Sequence, residues 1–334
     1  MCHSRIRLTM KHNNLVEKKI GLGTWAWGNQ LFWKYNQNSD KELRDTFQEA
    51  IKRGFSIIDT ADSYGTGKFS GRSEQLLGNF LSEIPKSQKR KIQIATKLAP
   101  YPWRIGKKGF IKPFFSSLER LQNELDIVQL HWSTARYYPL QEVQLLENLS
   151  DLINEGYHFK IGLSNVGPKR LQKLIQFLGT KNKVISYVQV QFSLLSPDIK
   201  KQRILKKVCE QNNIKFIAYS PLSFGILCQD PSFINKTKKS FLRNSIFKAY
   251  DHSTLELRET IKKIAKSRSV SMAQVAVNWC SYQGAIPLVG LRRKSHVVDI
   301  AQVLKWDLNK DEYEKLEDSA KNCKKLPGNP FSSN

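Results

Sequence analysis

The chain has 334 residues, 40% of them hydrophobic and 25% charged, and 54 Lys and Arg against 29 Asp and Glu leave a net charge of +25. No apolar stretch approaches the roughly 18 residues of a membrane span, and the length suits either two domains or one large α/β barrel. The charge argues weakly for a nucleic-acid partner, because lysine outnumbers arginine more than twofold and spreads over predicted helices, as on a solvated surface.

At the N-terminus, residues 1 to 16 form a basic segment without the apolar core of a secretory signal. The five cysteines, Cys2, Cys209, Cys228, Cys280 and Cys323, are odd in number and scattered, which suits reduced thiols in a cytoplasmic protein. Strand-like and helix-like segments then alternate without a linker, so residues 17 to 325 read as one domain and 326 to 334 as a tail. A strand near "KIGLGTW" precedes "SDKELRDTFQEAIKRG", a helix with Ser39 and Glu42 at capping-box spacing that stops at Gly54. Further strands are predicted at 55 to 59, 92 to 97, 126 to 132, 159 to 164, 184 to 191, 214 to 220 and 284 to 290, with amphipathic helices between them. Eight such units are the arithmetic of an α/β fold of the (β/α)8 or TIM-barrel type. "GLGTWAWG" does not fit the G-x-G-x-x-G turn of a doubly wound sheet. Residues 224 to 269 break the rhythm, and a connection that long is expected to lie over the catalytic face.

Four polar residues fall at or just past the strand ends: Asp59, Tyr64, Lys97 and His131. In a barrel that rim carries the chemistry. A phenol donates its proton poorly near neutrality, since its ordinary pKa is about 10. An ammonium at Lys97 is expected to lower that value, and a carboxylate at Asp59 to keep the ammonium charged. His131 would donate a hydrogen bond to a carbonyl oxygen and stabilise charge growing on it. The set suits protonation of a carbonyl while something else attacks its carbon. Neither an activated nucleophile nor a metal-ligand cluster is evident, so a hydride donor is expected to fill that role.

"GLGTWAWG" at 21 to 28, "IIDTADSYGTGKFSGRSEQLLG" at 57 to 78, "IATK" at 94 to 97, "DIVQLHW" at 126 to 132, "IGLSNV" at 161 to 166 and "AYSPLSFGIL" at 218 to 227 together resemble the successive signatures of the aldo-keto reductase superfamily. The resemblance implies an NADP-dependent oxidoreductase that reduces a small carbonyl, with Tyr64 as general acid, Lys97 and Asp59 tuning it, and His131 orienting the carbonyl. It implies NADPH held across the barrel mouth by Gly23, Thr24, Trp25 and Asp59, by Ser164, Asn165 and Gln189 on the carboxamide, and by Tyr219 on the nicotinamide ring. Ser220, Leu222 and Gly225 would approach the pyrophosphate, and Gly290, Arg292 and His296 the adenosine end, where Arg293 adds charge. An arginine fork there matches a 2′-phosphate. His296 and Ile300 depart from the family's more usual Arg or Gln and Asn, and Ser133 stands where a proline usually follows the His-Trp pair. Trp25, Trp103 and Trp132, with Tyr64 and His131, would line the substrate pocket. The "SPLSFGIL" type is similar to the branch containing pyridoxal reductases. A redox-sensing NADPH-binding subunit with little turnover is the rival reading, and the sequence leaves monomer or homo-oligomer open.

Overall fold

The structure is a computed structural model that describes residues 18–231 and 240–328. The basic segment 1 to 16, with Cys2, and the last six residues of the tail lie outside the described residues. Eight strands, β1 (Gly21–Gly23), β2 (Ile57–Asp59), β3 (Gln93–Leu98), β4 (Ile127–Leu130), β5 (Lys160–Ser164), β6 (Ile185–Gln191), β7 (Lys215–Tyr219) and β8 (Ile286–Gly290), pair in parallel in chain order. Because β8 also pairs with β1, the sheet closes into the expected barrel. Most strands are one to four residues shorter than the apolar runs predicting them, mainly at their N-terminal ends, while β3 keeps its length one residue further on.

Helices α1 (Gln30–Trp33), α2 (Asp40–Lys52), α3 (Arg72–Ser82), α4 (Lys86–Lys89), α5 (Ile111–Arg120), α6 (Pro139–Asn154), α7 (Pro168–Gly179) and α8 (Ile199–Gln211) occupy the first six connections. The long connection after β7 holds α9 (Phe241–Tyr250) and α10 (Leu255–Arg268) before α11 (Met272–Tyr282) returns to the barrel wall. After β8 come α12 (Lys294–Ala301), which is the eighth barrel helix, and α13 (Lys310–Ala320). Sequence patterning missed α12, whose first turn lies inside the "GLRRKSH" segment.

The capping box expected at Ser39 and Glu42 is not formed. A 3-10 turn over Gln37–Ser39 leads into α2, so Ser39 already has helical angles (φ −79°, ψ −13°) and its hydroxyl makes no cap bond. An N-cap needs an extended backbone to aim its side chain at the first free N–H groups. Asn309 and Glu312 satisfy that condition and form a capping box at the start of α13.

Two apolar shells fill the space between barrel and helices, one around Leu146, Val188 and Trp279 and the other around Trp27, Phe47 and Val289. A third, small cluster, Ile57, Ala95, Ile127, Tyr187, Ile217 and Leu288, plugs the barrel's interior. Strand side chains alternate between faces with period two. Two residues beyond Ile57, Ala95, Ile127 and Tyr187 lie Asp59, Lys97, Gln129 and Gln189, which therefore form a polar layer on top of the plug. Among the described residues no helix is long and apolar enough to cross a membrane.

Candidate active site at the barrel mouth

Lys97 is the centre of the polar layer. It is buried, and its ammonium group donates to Asp59 Oδ2 at 2.6 Å, to the carbonyl of Thr60 at 2.7 Å and to the Tyr64 hydroxyl at 3.1 Å. An ammonium has three protons, and all three are engaged. Burial pushes Lys97 toward neutrality, but the charges and hydrogen bonds of Asp59 and Tyr64 outweigh it and raise its pKa. The other oxygen of Asp59 accepts from Gln129 at 3.2 Å and Gln189 at 2.8 Å. Asp59 is thus held on both sides.

Tyr64 follows β2 by five residues, brought back over the mouth by a turn in which its N–H donates to Ala61 O at 3.1 Å. Its acidity corrects the expectation drawn from the sequence. Burial raises the phenol's pKa above the ordinary 10, and Lys97 offsets this only in part against the nearby carboxylates of Asp59 and Asp62. The phenol therefore keeps its proton at neutral pH. Since its oxygen accepts from Lys97, that proton is free to point elsewhere.

His131 lies just past β4, with its N–H donating to Leu98 O at 3.0 Å and its carbonyl accepting from Asn165 Nδ2 at 3.1 Å. Its ring meets Tyr64 edge-on, with centroids 5.7 Å apart, and packs against Trp132 at 5.2 Å. Burial, with the cations of Lys97 and Arg104, holds its pKa well below 6.5, so the imidazole is neutral.

A cavity of about 960 Å³ opens over these residues and runs from Tyr64, Lys97 and His131 past Ser220 and Gly225 to Arg292 and His296. Every cofactor residue expected from the sequence lines it except Thr24. Thr24 is fully buried, with its hydroxyl on Asp59 O at 2.9 Å and against Ser73 Oγ at 2.6 Å. It braces the strand end behind the cavity. Gln189 has given its N–H to Asp59, which leaves Oε1 for a ligand. Tyr219 donates to Asn165 Oδ1 at 2.8 Å, and Asn165 donates to Ser164 Oγ at 3.1 Å, so these three are mutually fixed.

Trp25 lines the cavity, but Trp103 and Trp132 do not. They form a ledge beside it around Tyr101, whose ring stacks on Trp103 at 4.7 Å and meets Trp132 at 5.9 Å. Trp103 is 73% exposed and stacks on Tyr101 outside the cavity lining. The proline replacement Ser133 has a structural reason. Its buried hydroxyl donates to Glu142 at 2.6 Å, and the same carboxylate takes Thr134 N at 2.9 Å and Arg170. Proline has no such donor.

Sequence reasoning missed Arg243, on α9. Its guanidinium lies over the ring of Trp33 at 4.5 Å, near Phe247 at 5.3 Å, and donates to Phe224 O at 3.1 Å. Its Nε is buried without a hydrogen-bond partner. Gly225 has φ +96°, a conformation that favours glycine, and Arg243 Nη2 packs against it, within 2.9 Å of where a Cβ would lie. Arg292 donates to Trp33 O at 2.7 Å, and burial, helped by repulsion from Arg292, lowers the pKa of Arg243. Two such cations, one with an idle donor, suit an anionic ligand. The sequence of the long connection showed no clear period around Arg243 that would have aimed it inward. Gln129 was also missed, although "DIVQLHW" sets it in phase with Ile127 and His131. The thiols of Cys209, Cys228, Cys280 and Cys323 are free, and burial pushes Cys209 and Cys228 up to about 12.

Known proteins resemble this chain in sequence and in fold. A pyridoxal reductase of Arabidopsis thaliana, named as chloroplastic, is 41% identical over 321 residues, covering 95% of this chain and 87% of the relative. A glycerol dehydrogenase from Gluconobacter oxydans superposes with a TM-score of 0.74 at 25% identity, covering 93% and 94% of the two chains. An aldo-keto reductase from Klebsiella pneumoniae, crystallised in complex with NADPH, shares the fold with a TM-score of 0.67 at 22% identity over 96% and 99%. The model of the Aldo/keto reductase family matches residues 19–321, and the chain belongs to that family.

Proposed function

We propose that the protein reduces a small aldehyde or ketone to the alcohol, with Tyr64 giving the proton and His131 orienting the carbonyl oxygen. As a member of its family it is an NADP-dependent oxidoreductase, and NADPH supplies the hydride when bound. The observation that carries the reading is the three-way engagement of the Lys97 ammonium with Asp59, Thr60 O and the Tyr64 oxygen, at the end of the cavity where Tyr64 and His131 meet.

The phenol enters the step protonated, with its oxygen already accepting from Lys97. As the proton leaves toward a carbonyl oxygen, the ammonium stabilises the phenolate left behind. Asp59 keeps Lys97 charged throughout, and Gln129 and Gln189 keep Asp59 in place. A neutral His131 donates to the same carbonyl oxygen without carrying a charge of its own into the pocket. Ser164, Asn165, Gln189 and Tyr219 are the residues that would hold the nicotinamide end. Arg292, Arg293 and Arg243 would meet the phosphates, and the idle Nε of Arg243 supports that fit.

Pyridoxal is the first substrate to test, because the 41% identical relative carries that name and Trp25 gives the cavity an aromatic wall. Steady-state oxidation of NADPH and NADH should be followed with pyridoxal, 4-nitrobenzaldehyde and aliphatic carbonyls. Turnover of at least one aldehyde with NADPH is expected. One NADPH retained per chain with no turnover on any carbonyl would replace this reading with the redox-sensing one. A cytoplasmic location is part of the proposal, and imaging of the tagged full-length chain tests it against the plastid named for the relative.

A further inference from the structure

Trp103 lies outside the cavity lining, and the chemistry above does not use it. It is not alone. Ile105, on the same loop after β3, is 52% exposed, and on the loop after β4 and the first turn of α6 Tyr137 is 50% and Leu140 64% exposed. Single apolar side chains on a surface need no explanation. These four share one surface, because the two loops are tied together. Buried Gln141 on α6 donates to Tyr101 O at 2.8 Å and to Arg104 O at 3.0 Å, and Gln144 accepts from Gly106 N at 3.1 Å. Trp132 spans the same gap, with its ring 5.9 Å from that of Tyr101 and its indole N–H on the Tyr137 hydroxyl at 2.9 Å. Both loops leave the C-terminal ends of barrel strands, so the patch stands beside the cavity mouth.

The charge on these loops has one sign. Residues 99 to 118 and 127 to 141 contain no Asp or Glu, and Lys108, Lys112 and Arg136 are exposed on them. Arg104 turns to Asp62 and Arg170 to Glu142, so neither is counted. On α8, burial lowers the pKa of Lys201, with Asp198 opposing the shift and Arg136 adding to it. A twofold contact between copies would set the patch against itself and bring its cations together. An acidic protein would need a surface shaped to the separate tips, since the core of a protein interface packs as closely as an interior. A bilayer with anionic lipid needs no such fit. Its headgroups attract the cations, and Trp, Tyr and aliphatic tips lie at the boundary between headgroups and acyl chains.

We infer that the rim of Trp103, Ile105, Tyr137 and Leu140, with Lys108, Lys112 and Arg136 around it, docks the protein on an anionic lipid surface with the cavity mouth toward the membrane. Docking of this kind is peripheral and reversible, because a few tips and cations fall far short of a spanning helix.

Flotation of the full chain with lipid vesicles tests the inference. Wild type should float with phosphatidylcholine vesicles that contain phosphatidylserine, and much less with phosphatidylcholine alone or at high salt. Lys108→Glu with Arg136→Glu, and separately Ile105→Ser with Leu140→Ser, should each lower the partition coefficient by about tenfold, with NADPH binding and melting temperature close to wild type. Brominated lipid should quench the fluorescence of wild type more than that of Trp103→Tyr, which keeps an interfacial ring but loses the indole. Flotation unchanged in both double variants would overturn the inference, because the general excess of +25 and not this rim would then attract the lipid. Failure of wild type to float with phosphatidylserine would overturn it as well, and equal quenching of the two proteins would take Trp103 off the membrane. A dimer in solution that both double variants dissolve, without flotation of wild type, would assign the face to a second copy instead.

Discussion

Asp62 lies within two residues of Tyr64 and is a second buried carboxylate at the mouth. Burial lifts its pKa to about 6, against the pull of Arg104 and a hydrogen bond from Ala99 N. Between the ordinary carboxylate value and about 6 the folded protein holds a proton that the unfolded chain has released. The stability this group contributes is therefore complete below pH 4 and lost as pH rises through about 6, a change of roughly 3 kcal/mol. Urea unfolding of Asp62→Asn should lack that slope between pH 4 and 6, and a slope identical to wild type would contradict the assignment. Tyr64→Phe removes the proposed proton donor and no residue that braces Asp59. Its kcat should drop by about 10²–10⁴-fold with NADPH binding, followed by tryptophan quenching, within twofold of wild type. Arg292→Ala should weaken NADPH far more than NADH, since an arginine fork reads a phosphate that NADH lacks; equal weakening in paired titrations would deny it that role.

Among the elements, the turn after β2 does the most to place the chemistry. Gly65 follows Tyr64 with φ +117°, and a Cβ there would fall 1.8 Å from Phe69 O. Gly65→Ala therefore has to shift the turn, and Tyr64 with it. The expected outcome is a fall in kcat of about 10²-fold and a melting temperature lowered by several degrees; wild-type kinetics would show that the turn does not fix the phenol. The contrast between β2 and the start of α2 shows where local reading works. "FSIID" predicts the strand Ile57–Asp59 because a short apolar run is a local property of the chain. The capping box at Ser39 and Glu42 fails because the 3-10 turn before it, not the residue types, sets the angles of Ser39.

For the whole molecule, some of the 54 Lys and Arg pair with acids, and an excess of +25 remains for the solvent to screen. Arg120 pairs with the fully buried Glu74, Arg104 with Asp62, and Arg203 with Glu317. Duplex DNA bound at low ionic strength should accordingly be released between about 50 and 200 mM salt, whereas retention above that range in a filter assay would reopen the nucleic-acid reading. The long connection after β7 acts at the same scale. It brings Phe224, Arg243 and Phe247 over the cavity, and Ser240 Oγ donates to Phe32 O at 2.8 Å across its mouth. Trp25, Phe32 and Phe224 pack together there, with ring centroids 5.3 to 6.1 Å apart.

The amino-acid sequence by itself determined the barrel and part of its polar top layer, because apolar runs and helix periodicity depend only on neighbours along the chain. Asp59, Lys97 and His131 could be placed at the rim for that reason. Tertiary structure alone decided the acidity of Tyr64, where burial outweighs the lysine. It also decided the place of Thr24 behind the cavity, the position of Trp103 and Trp132 outside its lining, and the arrival of Arg243 from α9 in the long connection after β7. Each of these depends on how much water a group loses and on which distant residue it meets, and neither quantity is encoded by spacing.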